Sequence, residues 1–264
     1  MTAVSKDSFD TAAAELKDGT VAIVTGGADG LGKSFSRALL KKKVKGLCIA
    51  DFNETTGNKT LREFVDEFGE DRVMFVKCDV TSQSDFEDVF KKTKAKFGCI
   101  NLMVNNAGIM NETTWEKCVD TNLKGTMRGT NLAIGYMGPE EGGEGGMIIN
   151  VASIAGLQPA SFMPTYTATK FASVGWTRAL QEDPCLKEMG ITFGCLCPAF
   201  ADTTMTDLKK LNNDIHRQIA AGAIQMLGLL DLDEVTDSFL RLVLDKFWEG
   251  KVLCLTKANG IAQV

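Results

Sequence analysis

Short apolar runs rich in β-branched residues recur along the chain, separated by polar stretches with helical periodicity. The runs are TVAIVT (20–25), GLCIA (46–50), RVMFVKC (72–78), NLMVNN (101–106), MIINVAS (147–153), ITFGCLC (191–197) and KVLCLT (251–256). Each is too short for an ordinary helix and reads as a buried strand. The first runs recur at intervals of about 25 residues, which leaves room for one helix between successive strands. That alternation predicts right-handed βαβ units, hence an α/β fold in which a doubly wound parallel sheet of seven strands carries helices on both faces. Residues 111–138 read as one long helix or a broken pair, and GPEEGGEGG (138–146) as a flexible turn into the fifth strand. Residues 199–245 form the one helical insertion, with a substrate lid expected at about 199–230; residues 1–17 read as an N-terminal extension and 18–264 as a single domain.

Composition narrows the class. The chain has 264 residues, 44% of them hydrophobic and 24% charged, as expected of a soluble globular protein. A net charge of −5 and no basic cluster beyond KKKVK (41–45), itself read as a solvated helix end, argue against a nucleic-acid partner. The first twenty residues lack the apolar centre of a signal peptide, and no run approaches the ~18 apolar residues of a membrane span, so we expect a cytoplasmic protein. The eight cysteines are scattered without a C-x-x-C pair and read as reduced, mostly buried side chains. The sole histidine, His216, has no partner nearby in the sequence, and we expect no metal site.

Three features carry chemistry. TGGADGLG (25–32) follows the first strand and opens a helix, a setting in which Gly26, Gly30 and Gly32 let backbone amides approach a pyrophosphate. Asp51 ends the second strand about twenty residues later, where a carboxylate accepts two ribose hydroxyls. It would repel a 2′-phosphate by ~4 kcal/mol at ~4 Å, so the cofactor expected is NAD rather than NADP. Finally, PTYTATK (164–170) sets Tyr166 and Lys170 four apart, on one face if the segment is helical, as Pro164 at its start suggests. A lone Y-x-x-x-K is common and carries little by itself.

TGGADGLG, CDV (78–80), NNAG (105–108), Asn122, Ser153, Tyr166-x-x-x-Lys170 and the Pro198 segment, in this order, resemble the short-chain dehydrogenase/reductase family. The resemblance runs from about residue 18 to the end, and WEK (115–117), GGEGGMIIN (142–150) and LTKANGI (255–261) look like its NAD-dependent hydroxyprostaglandin dehydrogenase branch. It implies a Rossmann-type domain with Asn122, Ser153, Tyr166 and Lys170 as the catalytic four. It also implies that Gly26, Gly30, Leu31 and Gly32 form the pyrophosphate turn, and that Asp51 and Phe52 meet the adenosine ribose. Asp79 and Val80 would form the adenine pocket, Asn106, Ala107 and Gly108 would pack along the cofactor, and Pro198, Phe200 and Thr203 would line the nicotinamide side beside Tyr166 and Lys170. The chain departs from the pattern at Ala152, Thr169 and Ala199, none of which removes a catalytic group. Family members assemble through the helix of Tyr166 and the one before it, which here implies a homodimer or tetramer.

Oxidising an alcohol by hydride transfer also moves the hydroxyl proton, so the site needs a base poised near neutral pH. Tyrosine, with a pKa of ~10, needs ~3–4 kcal/mol of help, which the Lys170 ammonium and an oxidised nicotinamide ring are expected to supply. Ser153 would hold the substrate oxygen and Asn122 would position a water linking Lys170 to solvent. Leu157, Phe162, Met163, Phe200, Met205 and Met226 are the expected walls, and they predict a lipophilic secondary or allylic alcohol or ketone as partner. A carbonyl reductase working in reverse and a non-catalytic NAD-binding protein remain the alternatives.

Overall fold

The computed structural model describes residues 2–3, 11, 14–203, 208, 211, 213–245 and 251–264. All seven predicted strands form, as β2 (Val21–Thr25), β3 (Gly46–Asp51), β4 (Val73–Lys77), β5 (Leu102–Asn105), β6 (Gly146–Val151), β7 (Ile191–Pro198) and β8 (Val252–Thr256). They lie parallel in the order β4-β3-β2-β5-β6-β7-β8. Two further strands lengthen one edge antiparallel: β9 (Gly260–Gln263) on β8, and the short β1 (Thr2–Ala3) on β9. Neither is announced by an apolar run of its own, since β9 is half-buried and β1 has only two residues.

Helices cover both faces. On one, α1 (Gly30–Lys41), α2 (Glu54–Phe68) and α9 (Leu232–Leu244) bury Phe35, Leu39, Phe64 and Phe239 against the sheet, with the Phe35 and Phe239 rings stacked at 4.3 Å. On the other, α3 (Gln83–Phe97) and α5 (Thr126–Met137) bury Phe86, Phe90, Ala133 and Met137. With Val89 on α3 and Val235 and Leu242 on α9, buried positions recur three and four apart, which gives these helices an apolar stripe. A buried polar ladder ties this second layer to the strands: Asn105 Nδ2 donates to Asn150 Oδ1 at 2.9 Å and to Thr130 Oγ1 at 3.1 Å, and Asn150 Nδ2 donates to Thr177 Oγ1 at 2.9 Å.

The chain leaves β2 in one direction and returns to β5 on its other side, so strand order reverses between them. In open α/β sheets ligands bind outside the carboxyl ends of the strands at that reversal. The glycine turn follows β2 there, and the NNAG segment follows β5. The predicted helix over 111–138 is a broken one: α4 (Trp115–Val119), a π-helical turn (Asp120–Gly125) and α5 run on without a loop. Next come α6 (Pro164–Gln181), the short α7 (Pro184–Glu188) and α8 (Asp214–Leu227). Among the described residues no helix is long and apolar enough to cross a membrane.

Candidate active site

Tyr166 and Lys170 lie on the inner face of α6, both buried. Pro164 opens this helix, and the i, i+4 spacing sets the Lys170 Nζ 5.4 Å from the centre of the Tyr166 ring. Lys170 Nζ donates to the Val151 carbonyl at 2.8 Å, which anchors α6 to the end of β6. Ser153, two residues beyond, stands beside the Tyr166 phenol, and its Oγ donates to the Pro198 carbonyl at 3.5 Å. Its Oγ also accepts the Ala155 N–H at 3.2 Å, capping a one-turn helix at Ile154–Gly156.

Asn122 sits in the π-helical turn, whose extra residue per turn rotates it toward α6. Its amide is fully used: Oδ1 accepts the Ile109 N–H at 2.8 Å, while Nδ2 donates to the Ile109 carbonyl at 2.8 Å and to Thr169 Oγ1 at 3.2 Å. Asn122 therefore pins the strand of backbone that follows β5. Gly108 fits between the groups: an added Cβ would stand 3.4 Å from Asn122 Oδ1 and 3.7 Å from Lys170 Nζ. Asn122 from the π-helical turn, Ser153 from beyond the end of β6, and Tyr166 and Lys170 from α6 are thus brought together.

Electrostatics differ from the expectation in one respect. Burial pushes the Tyr166 phenol up to about 12, against a weaker opposing effect of the neighbouring Ser153 hydroxyl. Burial likewise pulls the Lys170 ammonium down to about 8. The expected lowering of Tyr166 by Lys170 is absent from the protein taken alone, because loss of water disfavours the charged form of both groups. A phenolate here requires a further positive charge.

Ser153, Tyr166 and Lys170 edge a cleft of about 830 Å³, its open mouth included, while Asn122 stays outside its lining. Leu31, Asn106, Gly108, Pro198, Phe200 and Thr203 line it together with Ser153, Tyr166 and Lys170. Phe162 and Met163 line it as expected, with the Phe162 and Phe200 rings stacked at 6.5 Å. Two expected walls do not: Met226 is 81% exposed on the outer side of α8, and Leu157 packs with Ala152 and Val174 beneath the cleft. Ile224, two residues before Met226, faces inward instead, because Ala220 and Ala223 turn that side of α8 onto Phe162 and Tyr166. Met205 lies outside the described residues. Ala199, one of the departures from the family pattern, lines the cleft, as do Met110, Ile154, Ala201 and Leu208, which were not anticipated.

The other predicted positions run along the strand ends outside the cleft. Gly26 and Gly30 have φ of 60° and 51°, values that favour glycine, and a Cβ on Gly32 would overlap the Gly26 carbonyl oxygen. Asn106 Nδ2 ties the turn down by donating to the Thr25 carbonyl at 3.0 Å, and Ala107 N donates to Thr25 Oγ1 at 3.1 Å. Asp51 Oδ2 accepts the Ala28 N–H at 3.1 Å and Oδ1 the Asn53 N–H at 2.9 Å, so it organises the glycine turn and the start of α2. Phe52 beside it is 66% exposed. Asp79 Oδ1 accepts the Thr81 N–H at 2.9 Å, and Val80 packs against Gly125.

Fold and cleft together are those of a dehydrogenase of the doubly wound class. Residues 20–214 match the family model for short chain dehydrogenases, and the chain belongs to that family. It is 35% identical over 250 residues to the 15-hydroxyprostaglandin dehydrogenase [NAD(+)] of Rattus norvegicus, covering 92% of this chain and 93% of that protein. The human enzyme of the same name is 34% identical over 249 residues, again covering 92% and 93%. A 3beta-hydroxysteroid dehydrogenase 2 of Eggerthella lenta is 36% identical over 196 residues, 71% of this chain and 73% of that one. Among solved structures, levodione reductase superposes with a TM-score of 0.77 at 23% identity, over 90% of this chain and 96% of its own, which speaks to the fold.

Proposed function

We propose that this chain is an NAD-dependent dehydrogenase of lipophilic secondary alcohols, with Tyr166 as the acid/base. The observation that carries the proposal is the meeting of Ser153, Tyr166 and Lys170 in one cleft whose other walls are almost wholly apolar.

The residues at the ends of β2 and β3 fit a dinucleotide. An added Cβ on Gly30 would meet only Thr203, at 3.5 Å, so the turn backbone is bare on the side facing the cleft. Exposed Asp29 caps α1 and takes the Gly30 N–H at 2.8 Å, and the first turn beyond it carries no acidic residue, leaving the following amides and the dipole for an anion. Asp51 uses two of its roughly four lone-pair directions on backbone amides, and the remainder suit a diol but repel a phosphate. NAD, when bound, supplies the hydride acceptor and a positively charged ring.

Ser153 donates to and orients the alcohol oxygen. Tyr166, held as a phenolate by the Lys170 charge and the oxidised ring, takes the hydroxyl proton and becomes the neutral phenol. Lys170, with its ordinary value lowered by burial to about 8, can itself pass a proton at mildly alkaline pH. Asn122 keeps the backbone at Ile109 fixed beside Lys170, leaving a path for that proton along the loop after β5. Phe162, Phe200, Ile224 and Met110 exclude water from the reacting carbon and select apolar chains or rings. On α6, Phe171, Gly175 and Ala179 stay exposed, and they are the surface on which a second copy would dock.

The test mixes purified protein and NAD with a series of 2-alkanols up to decan-2-ol, with lactate and with glucitol, and follows NADH absorbance. Catalytic efficiency should rise with chain length, and lactate and glucitol should be poor. Tyr166→Phe should lower turnover by a factor of at least ~100 while NAD binding survives. No NADH with any alcohol, lactate outrunning octan-2-ol, or a fully active Tyr166→Phe would each overturn the proposal.

A further inference from the structure

Helix α6 lacks a local cap. Its N-cap position is Met163, which has no side-chain acceptor for the amides of the first turn. Pro164 has no N–H to satisfy, which leaves Thr165 and Tyr166 as the exposed donors. Both are taken by one carboxylate from far away in the sequence: Glu112 Oε2 accepts the Thr165 N–H at 3.0 Å, and Oε1 accepts the Tyr166 N–H at 2.9 Å. Glu112 is half-buried on the connection between β5 and α4. That connection is stiff on either side of it. Asn122 grips Ile109 through two hydrogen bonds, and Asn111 Oδ1 accepts the Thr113 N–H at 3.0 Å and the Thr114 N–H at 2.9 Å.

We infer that Glu112 is a positioning residue for the dehydrogenase reaction, setting the place of Tyr166 by clamping the backbone of that residue. The inference rests on the assignment of Tyr166 as acid/base. A carboxylate at a helix N-terminus meets both the dipole and two donors at once, and two bonds to adjacent amides fix direction as well as distance. The clamp also joins Asn122 to Tyr166, because both hold the same stretch of chain between Ile109 and Glu112. Substrate wall and catalytic helix are thereby tied together, since Met110 of that stretch lines the cleft.

The test uses the full chain with NAD and octan-2-ol, unlabelled and deuterated at the carbinol carbon. Glu112→Ala should lower kcat by ~10-fold or more, as expected when a reacting group shifts by a fraction of an ångström. Hydride transfer then limits turnover, so the isotope effect on kcat should rise, while the NAD dissociation constant stays within about twofold. Glu112→Gln keeps one oxygen acceptor and should fall between the two. Glu112→Ala with wild-type kcat and isotope effect, or a kcat reduced only in proportion to the fraction of protein that binds NADH, would overturn the inference. Tyr166→Phe run in parallel separates the two assignments: its inactivity beside an unaffected Glu112→Ala removes the clamp alone, and its activity removes the acid/base reading.

Discussion

At the scale of single residues, the pairing of Tyr166 with Lys170 is legible from spacing, whereas their proton affinities are not. Those depend first on burial beneath β6 and β7 and then on neighbours such as Ser153 and Cys197, which only the folded sheet brings near. Lys170 gives a direct handle. Its folded value, about 8, lies below the ordinary 10.5, so its contribution to stability is present above pH 10.5 and is lost as pH falls through 8. The loss is roughly 3 kcal/mol, of the order of 5 °C in Tm for a chain of this size. Methionine at this position does not titrate. Measured without cofactor, the Tm of Lys170→Met relative to wild type should therefore rise as pH falls from 10.5 to 8 and then level off. A difference that stays flat over that interval would mean that the ammonium is not desolvated. Glu112 left its own trace in the sequence, in the form of a helix that starts Met-Pro with no capping residue before it; nothing local said which distant carboxylate would answer.

At the scale of elements, the seven apolar runs were sufficient for the parallel sheet because strands buried on both faces cannot hide in the pattern. The walls of the cleft were harder. On α8 the choice between Ile224 and Met226 is made by the small residues Ala220 and Ala223, which let that side approach Phe162, and apolar character alone does not distinguish the two. The π-helical turn was likewise invisible, since Asp120–Gly125 has ordinary helical composition. Its geometry is testable. Deleting Lys124, exposed within the turn, should let α4 and α5 close into a plain α-helix, turning Asn122 by roughly 100° relative to α5. Helix content by circular dichroism should hold while turnover falls by at least ~10-fold, as for a misplaced site group. Unchanged turnover in that deletion variant would show that the direction of Asn122 is immaterial.

At the scale of the whole molecule, the reversal of strand order between β2 and β5 gathers the glycine turn, Asp51 and the catalytic side chains at one end of the sheet, while the opposite end is left to connections. The eight free cysteines sample this architecture unevenly. Cys185 is exposed and Cys99 partly so, whereas Cys48, Cys78, Cys118, Cys195, Cys197 and Cys254 are buried in or against the layers. Burial also pushes the Cys48 and Cys78 thiols up to about 12, far from the thiolate that reacts. The molecule consequently carries a clock for its own opening. A thiol reagent in excess should titrate Cys185 at once and Cys99 more slowly, then wait on unfolding for the remaining six, with saturating NAD lengthening that wait as a ligand of the folded state must. Rapid labelling of more than two thiols in the native protein would show that the layers breathe far more often than their packing implies.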